Sequence, residues 1–281
     1  MHDIENDIER FWDQHPCGEH QVGGVRGPFL EFFDRYDAFR YRKEGHILKQ
    51  LRSVDWREKN VLEIGLGLGA DAEQIIRLGA IWSGLDLTRT AVERVKTRLS
   101  LRGLPYRDLK QGSVLQIPYA SGSFDIVFSH GVLHHVPDIT RAQSEIARVL
   151  KPGGRLVMMV YAKNSINYWL SIYFLRRLGL VCLAALGVTP SGIFGEHLKE
   201  ARKVGLVNYL SIQNFINRNT DGPFNPYSKL YTSRVLQDDF PSFRLEAVKK
   251  DFMHAPPLRV DFAKFMAPYM GWHMWAFMTK A

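Results

Sequence analysis

The chain has 281 residues, 46% hydrophobic and 23% charged, with a net charge of +8, which suits one large soluble core and excludes a low-complexity array or a disordered chain. That charge suits RNA, anionic membrane surfaces or acidic small molecules as partners, although no long Lys/Arg block marks a nucleic-acid face. Cys17 and Cys182 are the only cysteines and form no CxxC pair, which argues against a zinc cluster or disulfide framework and fits a reducing cytoplasm.

The acidic start, Met1-His2-Asp3-Ile4-Glu5, has no apolar stretch and does not read as a secretory signal. Ile4, Ile8, Phe11 and Trp12 recur at helical spacing until His15-Pro16-Cys17-Gly18 interrupts them. Phe29 to Leu51 reads as one or two helices with aromatic faces. From Lys59 the pattern becomes strands alternating with helices: strands at Asn60–Ile64, Ala80–Leu85, Arg107–Lys110, Phe124–Phe128 and Arg155–Tyr161, with helices at Asp71–Leu78, after Thr88 or Thr90, and at Asp138–Leu150. Lys151-Pro152-Gly153-Gly154 reads as a turn. Such alternation means an α/β fold, a doubly wound and mostly parallel sheet with helices on both faces. Residues 163–230 break the alternation and read as a helical insertion after strand five. Thr232–Phe240 is the next helix, and Phe243–Phe252 and Trp272–Thr279 are the last strands. The expected organisation is a helical cap (1–58), a core (59–162 and 231–281) and a lid (163–230).

Glu63-Ile64-Gly65-Leu66-Gly67-Leu68-Gly69 is the strongest local signal. Glycines after a strand let the backbone turn sharply and approach a ligand closely. Asp86 ends the next strand, where a carboxylate can accept from both hydroxyls of a ribose. Gly65, Gly67 and Ala70 also satisfy the dinucleotide fingerprint, so a nicotinamide-dependent oxidoreductase stays open on these residues alone.

The downstream pieces resemble the class I S-adenosylmethionine-dependent methyltransferases, in the methyltransferase domain 11, ubiquinone/menaquinone-methyltransferase-like branch. They are Val61–Gly69, Gly84-Leu85-Asp86-Leu87, Ser123–His130, Leu133–Asp138 and Leu150–Leu156, in the family's order. The resemblance implies a seven-stranded sheet with the last strand antiparallel, and S-adenosyl-L-methionine as cofactor. It implies that Gly65 and Gly67 face the methionine part, that Gly69 belongs to the same cofactor-binding turn, and that Glu63 supports their loop. Asp86 would hold the ribose, Leu87 would lie against the adenine, and Ser113 and Val114 would sit at its edge. His130 and Gly131 would face the methionyl group. Many relatives carry Asp where this chain has Ser113, which leaves the adenine amine without its usual acceptor.

Methyl transfer needs an aligned nucleophile and, for an oxygen, loss of a proton. His134 and His135 follow the fourth strand and are the candidate bases. No Asp/Asn-Pro-Pro-aromatic motif follows that strand, which weakens methylation of nucleobase amines, and no Pro-Cys there suggests a cytosine adduct. RNA remains an alternative acceptor on charge alone. No carboxylate cluster suggests a metal, and none is expected. Tyr41, Tyr173, His197, Tyr209, Asn225 and Tyr227 are the candidate substrate contacts, since flat side chains with polar tips suit an apolar pocket. Ile166–Val188 is apolar but carries Arg176 and Arg177, so it reads as a lid or interfacial helix rather than a span, and hints at a lipophilic small-molecule acceptor and peripheral membrane contact. Nothing in the sequence sets an oligomeric state.

Overall fold

The structure, a computed structural model, describes residues 4–16 and 18–281. Met1–Asp3 and Cys17 lie outside the described residues, and with them the readings of the extreme amino terminus and of Cys17.

Three helices open the chain: α1 (Ile4–Gln14), α2 (Phe29–Lys43) and α3 (His46–Arg52). The core then runs β1 (Asn60–Ile64), α4 (Ala70–Arg77), β2 (Ile81–Asp86), α5 (Arg89–Leu101), β3 (Asp108–Gln111), β4 (Phe124–His130), α6 (Ile139–Val149) and β5 (Leu150–Tyr161). A π-helical stretch (Asn167–Arg176), α7 (Arg177–Ala185), α8 (Ile193–Val204), α9 (Leu206–Tyr209) and α10 (Ile212–Thr220) follow. The chain closes with α11 (Ser233–Asp239), β6 (Phe243–Asp251), α12 (Ala267–Met270) and β7 (His273–Lys280).

The seven strands form one sheet in the order β3-β2-β1-β4-β5-β7-β6. β1 to β5 pair in parallel, and β7 is antiparallel to both β5 and β6. The expected class of fold is therefore present. Antiparallel β7, inserted between β5 and β6, separates it from the 3-2-1-4-5-6 order of dinucleotide-binding folds. Strands β1 and β4 are buried along most of their length, as the centre of a sheet covered on both faces requires.

Local chemistry sets the helix starts. Thr88, Asp138 and Thr232 each accept a backbone N–H from the first helical turn, at Ala91, Arg141 and Val235. One local expectation is corrected. Lys151–Gly154 is not an isolated turn but a bulge within β5: Phe124 pairs with Leu150 and Ile126 with Arg155, and the extra residues loop out between them with Gly153 at φ 69°.

The cap is fastened to the core by Arg98, which is fully buried. It donates to Glu73 at 2.9 Å and to Asp37 of α2. Phe32, Phe33 and Tyr36 of α2 pack on Leu68 and Ala70, so the cap rests directly on the glycine turn. Residues of the insertion build their own core from Tyr168, Ile172, Leu198, Tyr209 and Phe215. Arg176 is part of it, donating to the carbonyls of Asn219 (2.7 Å) and Pro256 (3.1 Å), and burial pulls its pKa down to about 10. The apolar helix Asn167–Ala185 is long and apolar enough to cross a membrane, with 22% of it buried inside the protein.

Candidate active site

A cavity of about 360 Å³ opens at the carboxyl ends of β1, β2 and β4, where open α/β sheets bind ligands. β1 delivers Glu63 and Ile64 to its floor, and the turn Gly65–Gly69 forms one wall. Gly65 sits at φ 79°, and a Cβ there would lie 2.1 Å from Cγ2 of Val132. Only glycine lets this turn and the segment after β4 approach so closely. The bare backbone forms a cradle that a side chain would fill.

Asp86 fixes the turn. Its carboxylate accepts from the N–H of Leu66 at 2.6 Å, and from both the N–H and the hydroxyl of Thr88 at 2.8 Å. Burial raises its pKa against these bonds. Receiving a ribose diol requires one donor to turn away, and the Thr88 hydroxyl is the one free to rotate. Glu63 accepts from the Trp82 indole at 2.8 Å. Burial, and then the charge of Asp71, hold it well above the ordinary carboxyl range.

The structure adds residues that the sequence did not point to. Arg40 of α2 reaches across the cavity and donates to Asp71 at 2.7 Å, and Nδ1 of His130 lies 2.6 Å from the same oxygen. Nη2 of Arg40 also lies 2.8 Å from that Nδ1, so the guanidinium, the carboxylate and the imidazole meet in one cluster, and Nε2 of His130 has no hydrogen-bond partner among the described residues. Helix α1 contributes Ile4, Glu5, Ile8 and Trp12 to the wall. No periodicity in the sequence marks Arg40 or Asp71, because only the folded cap brings them together.

The paired histidines part company. His135 lines the cavity, with Trp12 edge-on at 5.1 Å between ring centroids. Its Nδ1 donates to the carbonyl of Tyr227 at 2.7 Å. Its Nε2 faces Asp221 at 3.4 Å without hydrogen-bond geometry. Asp221 in turn accepts from the Tyr161 hydroxyl at 2.8 Å. His134 is fully buried behind it, packed on Tyr161 with ring centroids 3.9 Å apart and planes tilted by 32°, and burial holds its pKa well below the ordinary value. The ligand-type atoms of His134, His135 and Asp221 all lie within 4.8 Å of one another.

Of the cofactor residues named from sequence, Glu63, Gly65, Gly67, Asp86, Leu87, Val114, His130 and Gly131 line the cavity. Gly69 caps α4 in a left-handed conformation, and Ser113 caps the short turn Val114–Gln116. None of the six acceptor candidates lines it. Tyr41 donates to the carbonyl of Ala70 at 3.0 Å. Tyr173 lies 43% exposed on the apolar helix. His197 and Tyr209 bond each other at 2.6 Å inside the insertion. Asn225 ties the 217–228 loop together through Asn217, Thr220 and Ser228. Tyr227 contributes its carbonyl to His135. The polar tips of His197, Tyr209 and Asn225 are thus bonded within the insertion itself.

Residues 62–158 match the family model of a methyltransferase domain. A phthiotriol/phenolphthiotriol dimycocerosates methyltransferase of Mycobacterium ulcerans is 34% identical over 119 residues, which are 41% of this chain and 43% of that protein. The match thus spans under half the length of that relative. A ubiquinone biosynthesis O-methyltransferase of Thiobacillus denitrificans is 28% identical over 191 residues, 65% of this chain and 77% of that one. The crystal structure of a magnesium protoporphyrin IX methyltransferase of Synechocystis, with bound S-adenosylhomocysteine, superposes over 99% of this chain and 100% of its own with a TM-score of 0.56 at 11% identity.

Proposed function

We propose that the chain, whose residues 62–158 match a methyltransferase domain, is an S-adenosylmethionine-dependent methyltransferase that methylates an oxygen of a small lipophilic acceptor. The cofactor supplies a methyl group already activated on a sulfonium. The protein's part is to bind, orient, exclude water and remove a proton. The glycine turn and Asp86 suit the nucleoside. Arg40 presents a cation where a carboxylate would meet it.

The observation that carries the reading is His135, which lines the same cavity and whose Nε2 has no hydrogen-bond partner among the described residues. The bond from Nδ1 to Tyr227 fixes the tautomer, so Nε2 carries the lone pair. As the acceptor oxygen takes the methyl, its proton passes to Nε2. Asp221, 3.4 Å away, then stabilises the imidazolium. His134, held neutral by burial, serves as wall rather than as base.

The lipophilic acceptor is supported by the surface beside the lid. Trp169, Phe174 and Leu178 stand 49–55% exposed on the apolar helix, and Phe262, Phe265 and Tyr269 stand 76–83% exposed near α12. Ser171 and Arg176 tie the helix to Pro256, and Lys250 ties Tyr269 to Asn164 at 2.8 and 2.9 Å. Exposed Lys163, Arg259 and Lys264 flank these apolar groups. An anionic membrane surface matches that combination.

Calorimetry comparing S-adenosylhomocysteine with NADH, followed by tritiated-methyl transfer into lipid, quinone and RNA fractions, tests this. Binding of S-adenosylhomocysteine and label in a lipid-soluble ether are expected. Label in RNA would overturn the acceptor class.

A further inference from the structure

We infer that Glu5 of the cap helix α1 is the hydrogen-bond acceptor for the exocyclic amine of the cofactor's adenine, so that the nucleoside latches α1 over its own site. The inference rests on the methyl-donor reading above.

Asp86 marks the ribose end of the cavity. Beyond it lie Leu87 and, from the segment after β3, Val114 and Leu115, an apolar slot suited to a flat base. An adenine there needs an acceptor for its N–H donors. The neighbouring core side chain is Ser113, whose hydroxyl already accepts the N–H of Leu115 at 3.0 Å. It offers a weak partner for a desolvated amine.

Glu5 supplies what the segment lacks. It lines the cavity, and its carboxylate is hydrogen-bonded to the Ser113 hydroxyl. A carboxylate offers about four lone-pair sites on its two oxygens, more than a hydroxyl, and a bond to an ionised acceptor is the stronger kind. The acid thus comes from 108 residues away in the chain, on a different element.

That origin makes closure depend on the ligand. α1 runs from Glu5 at the adenine end to Trp12 against His135 at the acceptor end. Gln111 donates to Glu9 and the Thr90 N–H to Asp13, both at 3.3 Å. Ile8 and Phe11 are its buried side chains. A nucleoside amine bound to Glu5 adds a tie between the ligand and the first turn of this helix, and so slows its opening.

The test pairs a ligand deletion with a side-chain deletion. Affinities of S-adenosylhomocysteine and of its analogue with hydrogen in place of the 6-amino group are measured by calorimetry on the whole chain, on Glu5→Ala and on Glu5→Gln. The unaltered protein should prefer the amine about 10- to 100-fold. Glu5→Ala should lose most of that preference while keeping its affinity for the analogue, and Glu5→Gln, still an acceptor, should retain part of it. Hydrogen exchange in residues 4–14 should slow with S-adenosylhomocysteine in the unaltered protein and less in Glu5→Ala. Full preference in Glu5→Ala overturns the inference and leaves the methyl-donor reading standing. Failure of the unaltered protein to bind S-adenosylhomocysteine overturns both.

Discussion

The guanidinium of Arg40, on the cap, donates to the carboxylate of Asp71, in the first turn of α4, at 2.7 Å with both side chains largely buried. Burial alone would raise the Asp71 pKa, but Arg40 and His130 outweigh it and hold the acid well below its usual range. A depressed carboxyl contributes stability above its unfolded pKa of about 3.9 and loses it as pH falls below that value. Arg40→Ala leaves the buried charge without its guanidinium and with His130 beside it, which should cost up to about 3–5 kcal/mol. Urea unfolding at pH 7 measures it, and an unchanged midpoint would refute the pairing. Repeating the measurement on the unaltered protein toward pH 3 should show stability declining.

Gly65→Ala should abolish tight binding of S-adenosylhomocysteine. The φ of 79° strains an alanine by about 1–3 kcal/mol, and its Cβ would collide with Val132. Adding Val132→Ala should relieve the collision but not the strain, so calorimetry should find affinity partly restored. Equal binding by Gly65→Ala and the unaltered chain would mean that the turn does not hold the ligand.

The contrast between Asp86 and Arg40 shows which features were legible in the sequence. Asp86, the glycines and the caps Thr88, Asp138 and Thr232 act within a few residues of themselves or at a strand end, so pattern reveals them. Arg40 meets Asp71 across 31 residues and Glu5 meets Ser113 across 108, and no periodicity records such distances. His197 and Tyr209 misled for the opposite reason. Their polar tips suggested a pocket, but the insertion buries them against each other, and burial lowers the His197 pKa to about 4.

Glu63 should couple ligand binding to protons. Burial and the charge of Asp71 push its carboxyl well above the ordinary range. A ligand ammonium arriving beside it favours the carboxylate, so over the pH range in which the free carboxyl holds its proton, binding releases it and affinity rises with pH, by up to about tenfold per unit. Calorimetry in buffers of different ionisation enthalpy should detect the released proton, and Glu63→Gln should remove it. Identical apparent enthalpies in all buffers would count against this coupling.

Vesicles should capture the protein through the apolar groups beside the lid. Burying a phenylalanine ring contributes about 2 kcal/mol, so Phe262→Glu with Phe265→Glu should weaken partitioning at least tenfold. Flotation with anionic vesicles measures this, and added salt should weaken the charge contribution of Arg259 and Lys264. Equal flotation of the double variant would exclude this surface.

His135 and Asp221 should separate chemistry from binding. Without a base near the acceptor oxygen, His135→Ala should lower kcat about 10²- to 10⁴-fold while the affinity for S-adenosylhomocysteine holds. Asp221→Asn keeps the hydrogen bond from Tyr161 but loses the charge that stabilises the imidazolium, so kcat should fall by a smaller factor with KM unchanged. His134→Phe, which keeps an aromatic ring against Tyr161, should keep most of the activity. If His134→Phe is dead and His135→Ala is active, the roles of the two rings are reversed. If both variants turn over normally, alignment of the acceptor suffices and no side chain takes its proton.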